Sequence, residues 1–199
     1  MPTQPKYRRE LTMQLNLDGS FVYPLDEMKS AYQKAIRRSL EEDALYWAAR
    51  MHERGYDEIL WRRIHVIASE DIGLADSNVA VQIAVLHNQY DKSKQDTTHS
   101  DGVLFLVHAV MILVRAPKSR IVDNAICAVF REKPDNREIP DYSVDKHCER
   151  GRNLGRGNNI KGWTHFYDEG AKLVAYTGQP CPLDPYEQRA RLAQGVKNV

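Results

Sequence analysis

The sequence predicts an all-α fold: a compact helical bundle followed by an irregular C-terminal extension. Apolar residues recur at i, i+3, i+4 spacing in successive segments between Leu25 and Phe130. The connections between those segments are short and polar, as in a bundle. No strand–helix–strand alternation and no internal repeat interrupts them.

Residues 1–22 form an N-terminal arm or a hairpin, since "LTMQLNLDGSFVYP" alternates loosely about Asp18-Gly19. From Leu25 the period becomes helical, with Met28, Ala31, Tyr32, Ala35, Ile36 and Ser39 on one face and Lys34, Arg37 and Arg38 opposite. "EEDALYWAARMHERG" supplies a second helix, acidic first and basic last as the helix dipole favours, with Gly55 as its stop. Asp57 is placed to cap a third helix carrying Ile59, Leu60, Ile64 and Ile67. Asp76 or Ser77 is placed to cap a fourth, with Val79, Ile83 and Leu86 on its inner face. After the polar loop "DKSKQDTTHSDG", the run from Val103 to Val114 reads as a helix buried on most sides, its His108 a satisfied core residue, and Pro117 halts it. A sixth helix follows, with Ile121, Val122, Ala125, Ile126 and Val129 inward. Residues 23–133 thus make the helical domain. Residues 134–199 make a basic, glycine-containing extension expected to pack on the bundle, ending in a helix at Pro185 behind an Asp184 cap.

A net charge of +1 with 28% charged residues excludes a uniformly cationic nucleic-acid binder, so any phosphate affinity must be local. Cys127, Cys148 and Cys181 lack CxxC spacing, which argues against a zinc ribbon or a disulfide scaffold and for a reducing, cytoplasmic setting. The N-terminus has no apolar signal-peptide run, and no segment is long and apolar enough for a membrane partner to be expected.

"KSAYQKAIRRSLEEDALYWAARM", "RRIHVIASEDIGLAD" and "VRAPKSRIVDNA", in this order across roughly Met28 to Ala128, resemble the C-terminal domain of the MgsA/RarA-type AAA+ ATPases. The resemblance implies an all-helical domain related to clamp-loader collars and a homo-oligomer, typically a tetramer. It also implies a place in DNA replication, recombination or repair. The chain carries no GxxxxGK[ST] loop, and "GRNLGRGNNIKG" neither follows a strand nor ends in Lys-Ser/Thr. ATPase activity and a nucleotide cofactor are therefore not expected, and a stand-alone variant is. The tail from Ile139 departs from the ATPase pattern.

Glu70 and Asp71 stand at the end of the third helix, where the dipole disfavours carboxylates and demands cationic partners. Neighbouring helical positions point about 100° apart, so the two are not expected to address one ligand together. They read instead as part of a structural clasp or subunit interface with Ser69, Arg37, Arg38, Arg62 and Arg63. Lys118, Ser119 and Arg120 open the sixth helix, where free N–H groups suit a phosphate or an acidic partner group; Ser119 as a cap, with the cations paired to Glu70 and Asp71, is the simpler use.

From Lys146 to Lys161 five Lys/Arg face one Glu, a local excess of +4. Arg150, Arg152, Arg156 and Lys161, with His165 and the aromatics Trp163, Phe166 and Tyr167 just beyond, are the candidate DNA contact. The expected partners are further copies of the chain, DNA, and a replication ATPase or other replisome protein. The competing reading is a small metal-dependent hydrolase or phosphate-handling enzyme built on Asp141, Asp145, His147 and His165.

Overall fold

The computed structural model describes residues 22–95, 101–131, 136–182 and 184–196. The expected arm or hairpin of residues 1–22 falls, but for Val22, outside them. The chain divides into two compact units, residues 1–134 and 135–199. Among the described residues the named elements are all helical, with one isolated antiparallel bridge, Val174 to Pro180.

The first unit is built from α1 (Leu25–Arg37), α2 (Glu41–Glu53), α3 (Asp57–Ile67), α4 (Val79–Ser93), α5 (Gly102–Arg115) and α6 (Ile121–Ala125). Each long helix buries the stripe its spacing announces: Met28, Tyr32 and Ile36; Ala44, Ala48 and Met51; Leu60, Ile64 and Ile67; Val79, Ile83 and Leu86. Leu106, Ala109, Val110 and Leu113 of α5 close the same core. Gly55 ends α2 at φ 73°, with Gly55 N–H donating to His52 O and Tyr56 N–H to Met51 O.

α3 does not stop cleanly. Beyond Ile67 the chain widens into a π-helical turn, Ala68–Ile72, which Gly73 ends. That turn carries Ser69, Glu70 and Asp71, and it packs against α6.

The second unit holds a 3₁₀ turn (Asp141–Ser143), α7 (Glu149–Asn153), α8 (Ile160–His165), a π-helical turn (Phe166–Gly170) and α9 (Pro185–Ala193). Its glycines explain its compactness. A Cβ on Gly151 would lie 1.7 Å from Asp145 O, and one on Gly162 would lie 1.9 Å from Gly157 O, so only glycine lets these segments touch. Asp184 caps α9, accepting from Tyr186 N–H at 2.7 Å and Glu187 N–H at 2.9 Å.

Several expectations are corrected. α5 is not buried on most sides: Leu104 is 63% exposed, and Val103 and His108 are also open, so His108 is not a core histidine. In α6 and the π-helical turn after it (Ile126–Phe130), Ile121, Ile126 and Val129 face outward rather than inward. Apolar composition there exceeds the area that neighbouring helices cover. Asp57 makes no cap bond and pairs with His52 Nδ1 at 2.6 Å instead. Asp76 accepts from Asn78 N–H ahead of α4, and Asn78 takes the cap position.

Candidate functional site

Two helices and two turns meet at Asp71. Its side chain is 1% exposed, and three groups satisfy it. Arg37 Nε donates to Oδ1 at 2.5 Å, Gln33 Nε2 donates to Oδ2 at 2.8 Å, and Arg120 Nε stands 3.8 Å from Oδ1. The other arm of the same guanidinium, Arg37 Nη2, reaches Glu70 Oε1 at 2.5 Å. Arg120 Nη2 lies 3.4 Å from that oxygen and also bonds Asp123. Adjacent carboxylates thus do share one partner. The spread fork of Arg37 spans the angle between them, and both lie on a π-helical turn rather than on regular α-helix.

The remaining members of the expected clasp are distributed differently. Arg63 Nη1 donates to Gln33 Oε1 at 3.1 Å, which holds the amide that serves Asp71. Arg38 turns away and donates to Lys34 O. Arg62 and Ser69 line an open groove of about 480 Å³ with His65, Val66, Glu70, Val122, Asp123 and Ile126. Gln33 escaped the sequence reading; its i, i+4 spacing to Arg37, which aims both side chains at one carboxylate, was the available signal.

The segment that opens α6 is tied to the same turn. Ser119 N–H donates to Asp71 O at 2.9 Å, and Ser119 Oγ accepts from Ile121 N–H. Lys118 Nζ donates to Val114 O and Ala116 O, the free carbonyls at the end of α5. Burial pushes its ammonium below the usual value, with Asp71 opposing that shift. Lys118 is therefore a helix terminator in this structure, and Arg120 is held among carboxylates.

In the second unit the cations divide in two. Arg156 is inward: Nη1 donates to Val144 O at 2.6 Å and Nη2 pairs with Asp141 at 2.9 Å. Arg150, Arg152 and Lys161 are exposed, with Arg152 donating to His147 O and Lys161 to Leu154 O. His165 Nε2 lies 3.1 Å from Asp141 Oδ2, while His147 Nδ1 pairs with Asp145 at 2.9 Å. Hydrogen bonds from His165 and then Arg156 hold the Asp141 carboxyl below its ordinary value. For Asp145 burial acts upward, but the His147 side chain and backbone bonds outweigh it.

The four residues of the hydrolase reading thus form two separate Asp–His pairs. Among the described residues no three His, Cys, Asp or Glu are grouped to hold a metal ion. The aromatics pack on each other and on cations: Lys146 Nζ lies 3.7 Å above the Trp163 ring, and Trp163 stacks on Tyr167. Arg191 joins them, buried against Tyr167 and paired with Asp168 and Glu187.

A different surface stands out on α4. From Val79 to Asn88 the helix carries no Asp, Glu, Lys or Arg. Val79, Ile83 and Leu86 are buried, yet Val81 is 65% and Val85 54% exposed, with Ala80 and Ala84 beside them. The helix is apolar toward the core and along one solvent-facing strip, which Gln82 and Asn88 border. No described helix is long and apolar enough to cross a membrane.

The profile of the family described as "MgsA AAA+ ATPase C terminal" matches residues 39–190. The match runs well beyond Ile139, so the tail is part of the family pattern rather than a departure from it. The chain is 30% identical over 190 residues to replication-associated recombination protein A of Bacillus subtilis (strain 168), covering 92% of this chain and 42% of that protein. It is 37% identical over 155 residues to the protein of the same name from Escherichia coli (strain K12), covering 75% of this chain and 32% of that one. ATPase WRNIP1 of Dictyostelium discoideum is 26% identical over 180 residues, covering 86% of this chain and 20% of its own length. The chain therefore spans less than half of these relatives. On the extent of the profile match and on those identities, the chain belongs to the MgsA AAA+ ATPase C-terminal family.

Proposed function

We propose that this chain is a non-catalytic assembly module acting in DNA replication, recombination or repair. The relatives named for replication-associated recombination supply the setting. The observation that carries the assembly half is the solvent-facing side of α4, where Ala80, Val81, Ala84 and Val85 lie side by side with no charge among them. An exposed apolar strip on a helix whose other face already fills the core is the usual mark of a protein-facing surface. A second copy of the chain is its occupant, a tetramer being the assembly that the family resemblance implies. A replication ATPase sharing this domain would join through the same strip. The Glu70/Asp71–Arg37 cluster holds the turn between α3 and α4 in place, and with it the start of α4.

The DNA half rests on Arg150, Arg152 and Lys161, which are among the described cations of the second unit that stay open to solvent. They supply phosphate contact without base readout. Sedimentation of the purified chain over a range of concentrations tests the assembly half. Species heavier than one 22.9 kDa chain are expected, and a single 22.9 kDa species throughout would contradict it.

A further inference from the structure

His65 near the end of α3 and His87 on α4 are in direct contact. His65 Nε2 and His87 Nδ1 are 2.9 Å apart, hydrogen-bonding distance, so one of the two nitrogens carries the proton and the other accepts it. The far nitrogen of His87 lies 3.7 Å from Asp91 Oδ2, one turn on along α4. The His87 ring is stacked on buried Trp61 at 4.5 Å and 14°, and Trp61 also packs on Tyr90. Two helices are thus joined through a pair of imidazoles that accommodates one shared proton and not two.

We propose that the His65–His87 pair is a proton-operated latch between α3 and α4, closed when the pair holds a single shared proton and opened by the second. A second proton leaves two N–H groups facing each other with no acceptor between them, and two like charges in contact. The charged and titratable groups around the pair are few. Asp91 faces it from α4, Tyr90 of α4 packs on the Trp61 ring that carries His87, and Arg62 lines the groove with His65 on α3. Glu70 of the π-helical turn and Asp123 of α6 face His65 across the groove.

Burial and then His87 hold His65 below its ordinary value. His65 also walls the groove that contains Glu70, so opening the latch alters the edge of the acidic cluster.

The sign follows from proton linkage. His65 binds its proton less tightly folded than unfolded, so the latch stabilises the protein above the unfolded value, about 6.5, and that stabilisation is lost as pH falls below it.

Urea unfolding of the full chain from about pH 5 to about pH 8 tests this, with His65→Gln and His87→Gln as comparisons. Wild type is expected to lose its advantage over either variant as pH falls, the unfolding constant changing about tenfold per pH unit for one proton. A wild-type–variant difference that stays flat with pH would overturn the proposal. Should a variant fail to fold, imidazole titration of wild type by NMR decides. Two steps more than about one pH unit apart are expected of the pair, and a single step with both residues at ordinary values overturns it.

Discussion

Arg37 grips Glu70 and Asp71 with one guanidinium, Nη2 on the first carboxylate and Nε on the second, each at 2.5 Å. Because Asp71 is almost wholly buried, removing its cation leaves a charge without its main partner. Arg37→Ala is expected to cost about 3 kcal/mol in urea unfolding. Arg37→Lys is expected to recover only part of that, since a point charge does not span both carboxylates. Equal stability of all three proteins would show that the cluster does not hold the turn.

Asp71→Asn removes the charge and one of the two side-chain acceptors at the same place. The single amide oxygen serves either Gln33 Nε2 or Arg37 Nε and the amide NH2 is turned toward the other, while Ser119 N–H keeps the main-chain carbonyl of residue 71. The loss is expected to be smaller than for Arg37→Ala, and the two substitutions combined are expected to cost less than their sum. Strict additivity in the double-mutant cycle would place Arg37 and Asp71 in separate environments.

Much of this cluster was legible in advance and part was not. Carboxylates at a helix end demand cations, and Arg37 and Arg120 meet them, with Arg63 acting through Gln33; charge and dipole named Arg38 and Arg62 equally, and those two turn elsewhere. The sharing of one arginine was not legible, because the π-helical turn changes the angle between adjacent side chains and periodicity gives no notice of it. Helix positions came through well, since the i, i+3, i+4 stripes of α1 to α4 are the stripes that fill the core. Burial of α5 and α6 did not. An apolar residue such as Leu104 or Val129 announces a helix face but not whether a neighbouring element covers it.

Tyr32 has a fully buried hydroxyl with no hydrogen-bond partner among the described residues, and burial pushes its phenol far above the ordinary value. Tyr32→Phe removes a desolvated polar atom and leaves the ring in place. Stability is expected to be unchanged or raised by up to about 1 kcal/mol. A loss of several kcal/mol would reveal a partner for that oxygen.

In the second unit, Gly151→Ala and Gly162→Ala each drive a methyl group into a carbonyl oxygen less than 2 Å away. Each is expected to destabilise this unit by about 3 kcal/mol or more, while the helical core of the first unit, which contains neither residue, keeps its protection against amide exchange. Native-like exchange throughout the second unit would contradict the close approach.

DNA binding, if carried by exposed cations, weakens steeply with salt. Arg150→Ala and Arg152→Ala are each expected to reduce the slope of log affinity against log salt by about 1. Arg156→Ala acts otherwise, since Arg156 holds Val144 O and Asp141, and is expected to lower stability in thermal melts. A salt-independent affinity would remove the phosphate-contact reading.

The outward face of α4 is open to one direct measurement, light scattering of wild type beside Val81→Asp/Val85→Asp at equal concentration. These side chains are exposed, so the substitutions leave the core untouched and helical content by circular dichroism is expected to be unchanged. Wild type is expected to be a multiple of 22.9 kDa and the double variant a single chain. Equal masses for the two proteins would show that α4 is not the surface through which copies meet.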